Sequence, residues 1–464
     1  SKQFAAASIL LLAADGKLSL TDEIQKYVPE IPRYQWPVTI DHLLHHTSGL
    51  RDYIGLMVLG GHQIDDVTDD ADALAAIARQ RALNFEPGTR WLYSNSGYFL
   101  LSTIVQRVSG KTLAAFAKER IFDPLGMRET HFRTNHKAVL PHRALAYSPI
   151  DSATWEIDMS NWEQTGDGAV FSNVLELALW DANFADPKVG GQALIDQLTE
   201  PGALADGSSH GYGRGLRADT YKGLARISHG GSWGGYRAMY QRFPEHRIGI
   251  GITCNVADAN TSRLADGVAD AVLREVLAGS QNDSTAAGSR AVPVVGAEVA
   301  RFAGTYFDSR SGQVARIFSR GDTARIAIGG GTLPLEQTAD GYTAGGYVAI
   351  RFPDGASPAE TLLLGQPLAD TLRRIEAVAP SATELAATAG TYFSPELDTS
   401  WRLVLDQGQL AIQARTFDGV RLEPVFRDGF LANGNLIELT RTGGRVTGFT
   451  LSAGRMRGIV FERR

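Results

Sequence analysis

One cysteine, Cys254, stands among 464 residues, which excludes an internal disulfide and any metal site built on several thiolates. The compartment stays open. Positive charge is scarce as well: 45 Lys and Arg against 51 Asp and Glu give a net charge of -6 and a pI near 6.0, so no basic field exists to condense on phosphate. Nucleic acid is therefore not expected as a partner. The longest apolar stretch, Ala5 to Ala14, is closed by Asp15 and Gly16 and reaches only about half the roughly 20 residues of a bilayer crossing. It reads as a buried helix and not as a membrane span or a signal peptide. What is present is a 44% hydrophobic, 21% charged chain, the composition of a globular protein. Its length predicts two or three domains.

The absences also mark a boundary along the chain. Beyond residue 246 there is neither histidine nor lysine, and only one of seven tryptophans lies beyond residue 233. The stretch from Gly279 to Ser289, GSQNDSTAAGS, is small, polar and without apolar periodicity, which reads as a linker. After it a motif repeats: Ala303-Gly304-Thr305-Tyr306-Phe307 recurs as Ala389-Gly390-Thr391-Tyr392-Phe393. Short alternating runs such as Arg402 to Leu405 and Gln409 to Ile412, with turns at Asp340-Gly341, Asp418-Gly419 and Gly443-Gly444, predict two small antiparallel β modules. Ahead of the linker, Thr21 with Asp22-Glu23, Leu113 to Phe122 and Leu175 to Phe184 predict helices, and Ile248 to Cys254 predicts a strand beside the turn Pro244-Glu245-His246. The expected organisation is an α/β or α+β domain over 1–280, a linker over 281–293, and β modules over 294–378 and 379–464.

Several familiar motifs fail on context. Gly207-Ser208-Ser209-His210-Gly211 fits G-x-S-x-G, but no strand precedes Ser209 and a glycine-rich stretch follows it where a helix is required. Ser109-Gly110-Lys111-Thr112 ends like a phosphate loop, yet Val105 stands where the first glycine belongs. It reads as a turn between helices. His42, His45 and His46 share a helical face without a third-ligand pattern, and read as core or capping residues. Two constellations carry more. Tyr93-Ser94-Asn95 sets a phenol and an amide two residues apart, on one side of an extended chain, and Ser228-His229-Gly230-Gly231-Ser232 puts backbone N–H groups beside an imidazole where they can aim at an oxyanion.

Taken in order, Lys2 in Ser1-Lys2-Gln3-Phe4, His46-Thr47-Ser48-Gly49-Leu50-Arg51-Asp52-Tyr53, Tyr93-Ser94-Asn95, Pro124-Leu125-Gly126-Met127 and His229-Gly230-Gly231 resemble the serine β-lactamase and penicillin-binding-protein superfamily. Within it the chain is most similar to class C-type hydrolases, and to D-aminopeptidase-like members over essentially its whole length. The resemblance implies a β-lactamase-like catalytic domain, an antiparallel sheet flanked by helices, followed by two antiparallel β-barrels. It implies Lys2 as the lysine of S-x-x-K, Tyr93 and Asn95 as Y-x-N, and His229 where relatives carry the lysine of K-T-G. The nucleophilic serine would lie three residues before Lys2, ahead of Ser1, and no complete S-x-x-K occurs in the 464 residues. The sequence is thus expected to be N-terminally incomplete, unless the chain is catalytically dead.

The same resemblance implies a serine hydroxyl that attacks a carbonyl and an acyl-enzyme that water then opens. Lys2 and Tyr93 would move the proton, Asn95 would orient the substrate amide, and the N–H of Ser232, after Gly230 and Gly231, would complete the oxyanion hole. A histidine at 229 is mostly neutral at pH 7, so carboxylate-bearing β-lactams are expected to bind less well than amides and peptides; Arg237 reads as an exposed strand arginine and not as a replacement charge. Relatives carry a long loop from the last domain where Phe430 to Leu436 is short here, which favours an oligopeptide with D- or unusual residues. Peptidases acting on linearised microcystin fit in layout and size. No metal or organic cofactor is implied; the partners are a peptide substrate and, in some assemblies, a second copy in a homodimer, in a periplasmic or secreted place. The rivals are an esterase or β-lactamase of the same fold and a non-catalytic protein that binds peptides or cell-wall fragments. All depends on Lys2, Tyr93 and His229 converging on one pocket mouth.

Overall fold

The computed structural model describes residues 1–281, 292–338, 341–345, 348–353, 355–365, 370–376, 378 and 380–464. The chain forms two compact units, Ser1–Ile54 with His62–Thr285 and Gly55–Gly61 with Ala286–Arg464.

The first unit is built around helix α1 (Lys2–Ala14), whose residues are buried from Lys2 to Leu12. A helix apolar on every side has no solvent face and belongs in a core. Phe4 meets Phe122 and Trp180 at ring distances of 5.1 and 4.9 Å, and the Trp180 indole N–H donates to Gln3 Oε1 at 2.6 Å. Asp15 and the left-handed Gly16, φ +69°, end the helix. Helices α2 (Ile40–Leu44), α3 (Asn95–Ser109), α4 (Val174–Ala185) and α5 (Gly191–Thr199) follow. Beyond them, strands β1 (Arg217–Tyr221), β2 (Leu224–Trp233), β3 (Tyr236–Phe243) and β4 (Ile248–Cys254) form an antiparallel sheet in that order. The run expected to be a strand is β4, residue for residue. Helix α6 (Thr261–Val272) lays Ala265 and Ala269 against Met239, Phe243 and Ile250 of the sheet.

The second unit carries two nine-stranded antiparallel sheets. In the first, Thr323–Ile328 pairs with Gly331–Thr338 and closes the ring into a barrel; the second runs from Val420–Arg421 round to Glu423–Phe426 and is nearly closed. The repeated motif has a structural meaning. Each copy is a strand, Gly304–Asp308 and Gly390–Ser394, entered from a short helix, and each tyrosine donates its hydroxyl to the carbonyl four residues earlier: Tyr306 to Phe302 at 2.7 Å and Tyr392 to Thr388 at 2.6 Å. Both tyrosines are fully buried, so the bond satisfies the one polar atom that burial would otherwise orphan. The Asn433-Gly434 turn takes positive φ at both centres and joins two strands of the second barrel as a tight hairpin.

The expected linker is bounded differently. Residues Gly279 to Gln281 fall within a helix, Arg274–Gln281, and Val292–Pro293 already pair with Gly331–Thr338 of the first barrel; 282–291 lie outside the described residues, as does Asp340 of one expected turn. Sequence composition marks where apolar pattern fades, and a helix end or an edge strand can be polar and still bond its backbone. Among the described residues no helix is long and apolar enough to cross a membrane.

Gly215, at φ +83°, lies against the first turn of α1: a Cβ there would sit 2.7 Å from Gln3 N and Cα and 2.8 Å from the Lys2 carbonyl carbon. Backbone cannot yield as a side chain does, so Gly215→Ala should lower unfolding free energy by about 1–3 kcal/mol, read as a lower urea midpoint at unchanged m-value. A midpoint equal to the parent's would show that α1 is not held there.

Candidate active site

Lys2 begins α1 and is 4% exposed, yet its ammonium has two oxygen partners: Nζ donates to Asn95 Oδ1 at 2.9 Å and to the Asp167 carbonyl at 2.7 Å. It also lies 4.7 Å from the centre of the Tyr93 ring and 5.5 Å from that of Tyr98, within cation–π range. A buried ammonium without such partners would be strongly unfavourable. Burial raises the Asp167 carboxyl above its usual range, against the pull of the Lys2 charge, while Tyr53 donates to its Oδ2 at 3.0 Å.

Asn95 is the first residue of α3. The sequence reading placed Tyr93 and Asn95 along one extended strand; in the structure the chain is extended only through Ser94 and then turns into the helix. Ser94 makes no side-chain cap. The cap comes from elsewhere, because Asp52 Oδ2 accepts both the backbone N–H and the Nδ2–H of Asn95, each at 2.9 Å. A carboxylate there complements the partial positive charge of the helix N-terminus. The neighbouring residues add two bonds, Tyr53 N–H to Ser96 Oγ at 2.8 Å and Ser96 Oγ to the Arg51 carbonyl at 2.5 Å.

His46, at φ +59°, clamps the segment that carries Tyr93. Its carbonyl accepts from Leu92 N–H at 3.0 Å, its Nδ1 accepts from Ser94 N–H at 3.2 Å, and its ring lies 4.2 Å from the Tyr93 ring. His229, on β2, completes the group with its ring 6.4 Å from that of Tyr93. Its Nδ1 contacts the Gly230 carbonyl at 2.6 Å and its Nε2 the Tyr212 hydroxyl at 3.0 Å. A carbonyl only accepts, so Nδ1 carries the proton and Nε2 accepts from Tyr212. Burial, then the nearby Lys2 charge, push the imidazole down to about 3; burial holds the Tyr212 phenol well above its ordinary value. The imidazole is neutral at physiological pH, with both nitrogens engaged.

Gly230, Gly231 and Ser232 lie in β2 itself, not in a glycine-rich turn; the turn is at Gly234-Gly235. β1 ends at Arg217 opposite Ser228, so beyond that pair the outer edge of β2 has no strand partner among the described residues, and all three are exposed. Small residues keep that edge open to an approaching chain. Lys2, Tyr93, Asn95 and His229 thus gather in one place. Arg237 does not join them, since its guanidinium donates to the Gly234 and Tyr236 carbonyls. His42 is the third residue of a capping box with Thr39, and Ser109 to Thr112 is the turn that ends α3 at a left-handed Gly110. Sequence reasoning read His46 only as a core or capping residue and gave no role to Asp52, Asp167 or Tyr212. The first two stand in a motif already noticed; the other two carry no local signal, and only packing finds them. Among the described residues no group of three or more His, Cys, Asp or Glu is arranged to hold a metal ion.

The family model described as Beta-lactamase matches residues 1–275. Penicillin-binding protein 4* of Bacillus subtilis is 35% identical over 265 residues, 53% of this chain and 57% of that protein, so the chain spans little more than half the length of that relative. A D-aminopeptidase of Cereibacter sphaeroides is 27% identical over 469 residues, 93% of this chain and 83% of the relative. Among solved structures, the octameric penicillin-binding protein homologue from Pyrococcus abyssi superposes with a TM-score of 0.52 at 19% identity, covering 99% of this chain and 86% of that one. A D-stereospecific amidohydrolase from Streptomyces gives 0.51 at 23% identity over 58% and 83%. Both show the fold.

His210, which is buried, is held down to about 4, by burial first and then by the neighbouring charge of His45. Both His210 and His229 therefore have folded values below the ordinary 6.5, and the unfolded chain binds protons that the folded one does not. Their contribution to stability is complete above about pH 6.5 and is lost as pH falls from there, towards about 4 for His210 and about 3 for His229. Urea unfolding should give a smaller free energy at pH 5 than at pH 7, and His210→Asn should shrink that difference. An unchanged difference, or a His229 ring resonance that titrates with a midpoint near 6.5, would contradict the geometry.

Proposed function

The chain belongs to the beta-lactamase family, and from that premise we propose that it is a serine hydrolase that opens amide bonds of peptides through an acyl-enzyme. The observation that carries the reading is the buried Lys2 ammonium beside the Tyr93 ring, with neutral His229 alongside. The serine that attacks would be the one three residues before Lys2, one helical turn away on the same face. The Tyr93 oxygen, its negative charge stabilised by the Lys2 ammonium beside it, takes the serine proton and hands it to the leaving amine. One Nδ2–H of Asn95 is spoken for by Asp52; the other is the donor for a substrate carbonyl. The exposed edge at Gly230 to Ser232 supplies backbone N–H groups, with that of Ser232 in the oxyanion hole.

A neutral imidazole at 229 lacks the fixed cation that grips a carboxylate at that point, which supports amides and peptides over carboxylate-bearing β-lactams. The similarity to D-aminopeptidases supports a substrate containing D-residues. Within that class an oligopeptide is preferred to a single aminoacyl amide. Linearised microcystin is the finer candidate within that class. A catalytic domain ending near residue 280 and two β modules divided between 378 and 379, the first opening with Val292–Pro293, complete the proposal.

The test uses a chain that carries the S-x-x-K serine. Linear D-residue peptides, D-aminoacyl amides, p-nitrophenyl esters and a chromogenic cephalosporin are compared by kcat/KM. Peptide amides should lead, and Tyr93→Phe should lower kcat roughly 100- to 10,000-fold. Ester or cephalosporin turnover ahead of every amide would replace the reading by its rivals; binding of peptides with no covalent adduct from an acylating probe would make the protein a receptor.

A further inference from the structure

Two adjacent residues, Asp52 and Tyr53, reach the two oxygen partners of Lys2. Asp52 Oδ2 takes the backbone N–H and the Nδ2–H of Asn95, whose Oδ1 accepts from Lys2; Tyr53 Oη bonds the carboxylate of Asp167, whose carbonyl also accepts from Lys2. A carboxamide can be turned end for end at little cost unless its partners forbid it. Here both do. An ammonium only donates and a carboxylate only accepts, so the reversed amide would set NH₂ against Nζ and oxygen against Oδ2. Asp52 is 3% exposed, and its other oxygen accepts from Ile54 N–H at 3.1 Å, so the carboxylate is itself held. It touches no reacting atom.

We propose that Asp52 is a positioning residue: it fixes the Asn95 carboxamide with oxygen towards Lys2 and one N–H left over, so that tether and substrate donor are set by one carboxylate across the N-terminus of α3. The bland alternative is that Asp52 only caps the helix. A cap would stabilise the fold and leave the amide free to turn.

The two are separated by experiments of different kinds. This proposal rests on the hydrolase reading for its kinetic arm alone. In a chain carrying the nucleophile, Asp52→Asn keeps shape but adds a donor, making both amide orientations acceptable. It should lower kcat by about a hundredfold, as a misplaced group does, with KM changed less than threefold. Asn95→Ala should remove that dependence, so that the double variant is no slower than Asn95→Ala alone. Additive losses, or a loss in stability with kcat intact, would reduce Asp52 to a cap.

The second arm needs no turnover, and its readout is taken on the unsubstituted protein. In the unsubstituted protein the Asn95 side-chain NH₂ pair, identified by its disappearance in Asn95→Ala, should show one proton protected from solvent exchange well beyond an exposed asparagine. Rapid exchange of both protons would overturn the proposal even in an active enzyme. A protected pair in a protein that hydrolyses nothing would sustain it while the hydrolase reading fell.

Discussion

The first unit is organised around a cation kept out of water. Removing the Lys2 ammonium from solvent is unfavourable by several kcal/mol unless oxygen atoms replace the hydration shell, and the replacements come from distant stretches of chain. Asn95 approaches because α3 starts there. Asp167 approaches through its backbone, with its carboxylate anchored on Tyr53. The wall of the site, Tyr93, is pinned between two bonds to His46.

His229 shows the opposite strategy at the same site. Where a second cation would have faced Lys2 at short range, the chain carries an imidazole whose proton is directed to its own strand and whose other nitrogen is occupied by Tyr212. The site therefore keeps one cation and one neutral base-like ring close together, an electrostatic arrangement two lysines would not share without repulsion.

The second unit reads differently because its repeated elements are held by local rules. The two tyrosines at 306 and 392 bond the carbonyl four residues earlier in the same way, and Arg374 and Arg463 lie over their rings at 5.2 and 5.8 Å. Such contacts recur wherever the five-residue motif recurs, so the repeat was visible in the sequence before any strand was placed. Closure of the first ring was not, since it depends on which edges meet at Thr323–Ile328 and Gly331–Thr338.

The sequence by itself determined the buried helix, the β4 run and the repeat, because apolar period and turn chemistry are written locally; Lys2, Tyr93, Asn95 and His229 were joined into one site only through the resemblance of their motifs to the β-lactamase superfamily. Only the tertiary structure decided that Asn95 opens a helix, that the glycines after His229 form an open strand edge, and that Asp52, Asp167 and Tyr212 complete the site. Hydrogen-bond partners tens to more than a hundred residues apart leave no trace in periodicity; they exist only once packing has brought a donor to an acceptor and closed the water out.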